Sequence, residues 1–211
     1  MPVNFFGHAA VATWQETAPP GRVLGAMLPD FSTMSGARLA ADQPHDADVS
    51  GGIDLHHVTD GVFHRLPPIL ALMRELDERL LVGGCARGPR RAVAHIGVEL
   101  LLDGVLVDDA TYRDAYVAGL AHSPDGIAWR EPDDAPQFSR LLDRLRSYGV
   151  PLDLQRPDAI AQRLHRMLAH RPLLAPNASD LVAIKTALVE YKPRVEVAAD
   201  TVLRALRAGL E

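Results

Sequence analysis

Six side chains that commonly bind metal ions recur at intervals of four residues in two segments of the sequence. They are His56, Asp60 and His64 in the first segment and His95, Glu99 and Asp103 in the second. A helix turns by about 100° per residue, so a step of four moves a side chain only about 40° around the axis. Each set therefore forms a stripe on one helix face. Asp54 and His57 fall off the first stripe and are predicted to be exposed.

The second stripe lies in the most apolar stretch of the chain, residues 89–107, which predicts a buried helix. Buried carboxylates are costly unless they are paired or bind a metal. Pairing of Glu99 and Asp103 with Arg90, Arg91 or a histidine is the ordinary explanation. Because the two stripes share residue types and spacing, we predict instead a metal site between two helices. Imidazole and carboxylate ligands suit Mn or Fe, with Mg or Zn as alternatives, in a mononuclear or dinuclear centre.

Composition predicts one all-α domain that spans residues 1–211. Alanine and leucine dominate and aromatic residues make up only 5%, which favours helices over strands. The net charge of −5 argues against nucleic-acid binding. No apolar run approaches the roughly 20 residues that span a membrane, and the N-terminus lacks the features of a signal peptide. With Cys85 as the single cysteine, a cytoplasmic protein without a disulfide is expected.

Hydrophobic periodicity and helix breakers predict about eight to ten helices. A polar loop is expected over residues 32–50, and whether it acts as a lid stays open. Ser179 is expected to cap the last helix, and Pro193 to kink or break it. The predicted helical segments are 3–17, 22–31, 53–65, 68–82, 89–107, 108–121, 136–148, 157–170 and 178–209.

Several short motifs follow one another along most of the chain. They are Asn4-Phe5-Phe6-Gly7-His8-Ala9, Gly25-Ala26-Met27-Leu28-Pro29-Asp30-Phe31, Gly52 to Asp60 with His64 and Pro67, Arg90-Arg91, Glu99 to Gly104, Arg171-Pro172 and Tyr191-Lys192-Pro193-Arg194. In this order the motifs resemble those of the acyl-carrier-protein phosphodiesterases, a divergent branch of the HD-type metal hydrolases. The resemblance implies an HD-type helical fold. It also implies a metal centre formed by His8, Asp30, His56, Asp60 and Asp103.

The sequence departs from the family pattern at several positions of the implied centre. Ala26 stands where the family has asparagine, and Gly104 stands where it has histidine. In turn, His64 replaces an acidic residue, and His95 replaces a nonpolar residue or proline. Compared with the family pattern, the chain thus has two additional nitrogen ligands and lacks two polar groups. These changes favour a site richer in histidine, with room for two metal ions.

A literal His-Asp dipeptide, the pair for which HD hydrolases are named, occurs at His45-Asp46. It lies in the polar loop rather than in a predicted helix, so we interpret it as a coincidence. The role of the dyad would fall to His56 and Asp60.

The expected function is metal-dependent hydrolysis of a phosphodiester. The substrate would be an acyl carrier protein that carries 4′-phosphopantetheine, or another phosphoester. Asp60 or His64 would act as general base, while Arg65, Arg90 and Arg91 would hold the phosphate. An HD-type dinuclear iron oxygenase is an alternative, since such sites are richer in histidine. A degenerate, non-enzymatic helical binding protein is a second alternative, favoured by the lost polar groups.

Overall fold

The computed structural model describes residues 5–15 and 18–211, and the regular secondary structure of these residues is helical. The all-α prediction is thereby confirmed for this part of the chain, as is the expected number of helices. Asn4 of the first motif, and residues 3–4 and 16–17 of the first predicted helix, lie outside the described residues. The nine α-helices of the described chain are α1 Phe5–Ala12, α2 Pro20–Ser35, α3 Ala47–Phe63, α4 Pro67–Val82, α5 Arg87–Leu106, α6 Ala110–Ala121, α7 Asp134–Tyr148, α8 Pro157–Leu168 and α9 Ala178–Leu210.

The described chain divides into two compact units, and each unit is built from two segments of sequence. Unit 1 takes the described part of residues 1–60 together with 106–151. Unit 2 takes residues 61–105 together with 152–211. The prediction of one domain over residues 1–211 stays a prediction. Within the described residues, no helix is long and apolar enough to cross a membrane.

Aromatic rings join α1 to α2 and α6 in unit 1. The ring of Phe5 lies 5.3 Å from that of Phe31 in α2 and 5.9 Å from that of Tyr116 in α6. Phe6 adds a second contact with Tyr116, at 5.4 Å. All four side chains are buried, and aromatic pairs at such distances add about 0.5–1.5 kcal/mol each beyond their burial. This cluster fixes α1, the helix that carries His8.

Two glycines allow the backbones of α2 and α3 to touch in unit 1. A Cβ atom at Gly25 would lie 2.2 Å from the carbonyl oxygen of Val49. A Cβ atom at Gly52 would lie 2.2 Å from the carbonyl oxygen of Arg22. Atoms do not approach so closely without overlap, so any other residue would push the two helices apart. The contact places His56, one turn after Gly52, directly against α2.

In unit 2 the long helix α9 packs against α4, α5 and α8. The buried hydroxyl of Tyr191 in α9 donates a hydrogen bond to the carbonyl oxygen of Leu72 in α4, at 2.9 Å. A Cβ atom at Gly97 of α5 would lie 3.4 Å from the side chain of Leu76 in α4 and 3.3 Å from that of Leu188 in α9. The absence of a side chain at Gly97 therefore lets α5, which carries His95 and Glu99, lie close to both neighbours.

Several helix boundaries differ from the prediction. Helices α2 and α9 run through Pro29 and Pro193, because packing on both sides of each proline outweighs the one hydrogen bond that it removes. With α2 reaching residue 35 and α3 starting at 47, the polar loop shortens to residues 36–46. The cap of α9 is Asn177 rather than Ser179. Asn177 and Asp180 bond each other's backbone N–H groups in a capping box.

Replacing Gly52 by alanine should lower the free energy of unfolding by about 1–3 kcal/mol, because the added Cβ overlaps the backbone of α2. Gly61→Ala in the same helix is the matched control, since a Cβ there meets no atom within 4 Å. That change should stabilise the protein by about 0.5–1 kcal/mol through helix propensity alone. Urea unfolding followed by circular dichroism measures both values. Equal effects at the two glycines would contradict the described contact between α2 and α3.

Candidate metal centres

Four of the predicted ligands come together in unit 1, and we call them group 1. They are His8 of α1, Asp30 of α2, and His56 and Asp60 of α3. Ligand atoms of His8, Asp30 and His56 lie within 4.8 Å of one another, and all three side chains are buried. Asp60 contacts both histidines, with Oδ1 3.3 Å from Nε2 of His8 and Oδ2 3.5 Å from Nε2 of His56. Three helices thus bring His8, Asp30 and His56 together, and Asp60 lies beside the two histidines.

The distances in group 1 suit ligands that share one ion. Two ligands about 2.1 Å from a tetrahedral ion lie about 3.4 Å apart, whereas a direct N–H···O hydrogen bond is usually near 2.9 Å. Although the His8 ring is buried, neither of its nitrogens makes a hydrogen bond within the described chain. Buried polar atoms normally find a partner. The donor set and its geometry therefore fit a divalent ion.

The imidazole ring of His56 is oriented by the backbone of α2. Its Nδ1 lies 2.9 Å from the carbonyl oxygen of Ala26. Because a carbonyl only accepts, Nδ1 carries the proton and Nε2 keeps its lone pair toward Asp60. Burial, and then the neighbouring His8 ring, lower the pKa of His56 to about 4. His56 is therefore neutral near pH 7, which is the form that binds a metal.

Three further predicted ligands come together in unit 2, and we call them group 2. They are His64, which directly follows α3, and His95 and Glu99, one turn apart in α5. The Oε1 atom of Glu99 lies 3.1 Å from Nε2 of His95 and 3.6 Å from Nε2 of His64. The two imidazole rings stack with their centroids 4.8 Å apart. The end of the first stripe and the start of the second thus share one cluster.

Glu99 is the buried member of group 2. Its side chain is 0% exposed, compared with 29% for His64 and 45% for His95, so the group opens to solvent on its imidazole side. Neither carboxylate oxygen of Glu99 accepts a hydrogen bond within the described chain. A buried carboxylate in such surroundings costs several kcal/mol unless a cation compensates its charge. The ligand types and the burial of Glu99 fit a bound divalent ion here as well.

The remaining predicted ligand, Asp103, is buried one turn after Glu99 in α5. Its role as a ligand stays a prediction. The next residue, Gly104, occupies a position where the resembled family has histidine. A Cβ there would lie 2.3 Å from the carbonyl oxygen of Leu154, so no side chain fits without moving the backbone. Packing within unit 2 therefore explains the glycine.

The arginines predicted to hold phosphate all lie in unit 2. Arg65 and Arg91 are exposed, which leaves their guanidinium groups open to solvent. Arg90 is partly buried, and its Nε forms an ion pair with Oδ1 of Asp77 in α4 at 3.0 Å. The phosphate-binding role of the three stays a prediction.

The His45-Asp46 dipeptide has local roles in unit 1. Nδ1 of His45 accepts a hydrogen bond from the backbone N–H of Ala128 at 3.0 Å. Oδ1 of Asp46 accepts one from the backbone N–H of Asp48 at 2.9 Å, at the start of α3. Both contacts order the loop that precedes α3, as expected if the resemblance to an HD dyad is a coincidence.

Sequence reasoning missed three residues that position group 1. Gly25 and Gly52 set the distance between α2 and α3, and Ala26 orients His56 through its carbonyl group. Glycines within predicted helices were an available signal, because such glycines often mark a close approach of backbones. No residue type could reveal the Ala26 contact, since every residue has a carbonyl group.

The chain was also compared with models of protein families, with curated proteins and with solved structures, and nothing matches. The resemblance to the acyl-carrier-protein phosphodiesterases therefore stays a prediction from the motifs. Any function has to be inferred from the two groups of side chains.

Replacing His56 by alanine should remove one equivalent of bound Mn²⁺ per chain, because it deletes the ligand that the Ala26 carbonyl orients. His57→Ala is the matched control, since His57 is the next residue and is exposed, as is Asp54. Metal analysis after equilibrium dialysis measures the content, and circular dichroism checks the fold. Unchanged Mn²⁺ binding by a folded His56→Ala protein would show that group 1 is not a metal site.

Proposed function

We propose that the protein is a metal-dependent phosphodiester hydrolase and that group 1 holds its ion. One observation carries the proposal. Two buried imidazoles and two carboxylates converge in unit 1, with the His56 ring fixed for coordination by the Ala26 carbonyl. The resemblance to HD-type hydrolases supports the same reaction, because His8, Asp30, His56 and Asp60 are the residues that it implies as ligands.

Within group 1, Asp60 is the side chain best placed for proton transfer. It is 23% exposed, whereas the side chains of His8 and His56 are 1% and 4% exposed. Solvent and substrate therefore reach the group at this carboxylate. A bound divalent ion would lower the pKa of a water ligand and polarise a phosphoryl oxygen. One oxygen of Asp60 can bind the ion while the other receives a proton.

The reaction consumes one water molecule for each phosphodiester. The water oxygen forms a bond to phosphorus, and the bond from phosphorus to the leaving alcohol breaks. One water proton passes to Asp60 and then to the departing oxygen. The products are a phosphomonoester and an alcohol, so the reaction needs no oxidant or reductant.

The motif resemblance favours 4′-phosphopantetheine on an acyl carrier protein as the substrate. An acyl carrier protein is acidic. An enzyme with a net charge of −5 would therefore need a local basic surface to bind it. In unit 2, Arg87 and Arg91 in the first two turns of α5, together with Arg65, are exposed and could provide such a surface. A small phosphoester remains the second possibility for the substrate.

Hydrolysis of bis(p-nitrophenyl) phosphate by the Mn²⁺-loaded protein tests the proposal. Asp60→Asn should lower kcat/KM by about 100-fold or more, since it removes the proton acceptor. Asp54→Asn is the matched control, because Asp54 is an exposed carboxylate on the same helix. It should keep the wild-type rate. If the Mn²⁺-loaded protein cleaves neither this compound nor a phosphopantetheinylated acyl carrier protein, the proposed function is wrong.

An iron oxygenase is the second candidate, and group 2 is the observation that favours it. Two histidines and one carboxylate are the ligands that many non-haem Fe(II) oxygenases use. Iron at about two per chain in untreated protein, together with O₂ consumption, would favour this candidate over the hydrolase. Absence of bound metal, with no thermal stabilisation by added Mn²⁺, Fe²⁺ or Zn²⁺, would favour a non-enzymatic protein.

A further inference from the structure

We propose that group 2 is a metal site in its own right. His64, His95 and Glu99, all within unit 2, would bind one divalent ion of the Zn²⁺ or Fe²⁺ class and leave a coordination position open to solvent. This site goes beyond the proposed hydrolytic role of group 1 and does not depend on it. Its ligands come from residue 64, just after α3, and from one turn of α5.

The geometry of group 2 is that of three ligands around one point. The two Nε2 atoms lie 3.1 and 3.6 Å from the same carboxylate oxygen of Glu99. These values bracket the separation of about 3.4 Å expected for ligands that share a tetrahedral ion. His95 and Glu99 are held in register by the helical spacing of four residues. The ligand atoms thus lie at the separations that one shared ion requires.

An ion pair between a protonated histidine and Glu99 explains the same residues less well. Charge-assisted N–H···O bonds are usually 2.7–2.9 Å long and well aligned. Here both imidazoles face a single oxygen at longer distances, and neither oxygen of the fully buried carboxylate accepts a hydrogen bond. Two protonated rings stacked 4.8 Å apart would also repel each other. A cation shared by the three side chains accounts for all of these features.

Charge and exposure indicate what such a site would hold. Two neutral imidazoles and one carboxylate leave a divalent ion with a net charge of +1. The partly exposed histidines place the open position on the solvent side of the buried carboxylate. A positive, open ion attracts hydroxide or another anion as its fourth ligand. Imidazole-rich ligand sets favour Zn²⁺ or Fe²⁺ over Mg²⁺, which prefers oxygen ligands.

Zn²⁺ titration of metal-free protein tests the inference, with stoichiometry measured by calorimetry and metal analysis. The wild type should bind two ions per chain, and His56→Ala and His95→Ala should each bind one. The double variant should bind none. His95 is the variant of choice because its side chain is the most exposed of the three, at 45%, so its replacement should disturb the fold least. His170→Ala, an exposed histidine of unit 2, is the matched control and should bind two.

Glu99→Gln gives a second, independent measurement. Zn²⁺ should raise the Tm of His56→Ala, which retains group 2, but not that of the double variant His56→Ala/Glu99→Gln. An excess of Mg²⁺ should not displace the Zn²⁺. Wild-type stoichiometry in folded His95→Ala protein would overturn the inference and leave the proposed function standing. Loss of all binding in His95→Ala would also overturn it, because group 2 would then have no ion of its own. If the proposed function is wrong, the ion that depends on His56 does not bind, or the Mn²⁺-loaded protein does not cleave phosphodiesters.

Discussion

The backbone contact between α2 and α3 is the constraint on which group 1 depends. The side chains of Asp30 and His56 project from two helices whose separation is set at Gly25 and Gly52, where a Cβ atom would overlap the opposite backbone. The same approach lets the Ala26 carbonyl reach the His56 ring. Metal ligands must be held within about 0.5 Å of their productive positions. Gly25 and Gly52 therefore set the spacing between the helices that carry Asp30 and His56.

Buried charge is the second feature that shapes both units. Asp30 in unit 1 and Glu99 in unit 2 are carboxylates on buried helix faces, at 2% and 1% exposure. Desolvation of such groups costs several kcal/mol, a large part of the 5–15 kcal/mol by which a domain of this size is stable. A histidine beside such a carboxylate offers an opposite charge only in its protonated form. A divalent ion provides that charge, so ion binding and the stability of these helices would be coupled.

Local sequence signals predicted the helices well and the site in part. Residues 67–82 and 157–168 were found within two residues at either end, because proline at the start and an amphipathic pattern act locally. The path of α2 through Pro29 depends on packing that no local signal contains. The interval of four identified six of the metal-binding candidates. It could not show that His56 lies with ligands from α1 and α2, whereas His64 lies with ligands from α5, since that division depends on the tertiary fold.

Two of the departures from the pattern of the resembled family, Ala26 and Gly104, bear on whether the protein is degenerate. At Gly104 the carbonyl oxygen of Leu154 occupies the space of a side chain, so packing in unit 2 excludes a histidine there. Ala26 lacks the polar amide that the resembled family has, yet its backbone carbonyl fixes the tautomer of His56 in which Nε2 keeps its lone pair for a metal. Neither change removes a ligand from group 1 or group 2. Glu99 is buried beside two histidines, and without a bound ion an apolar residue of similar size would stabilise α5 better. The buried carboxylate therefore supports the proposal that group 2 binds a metal.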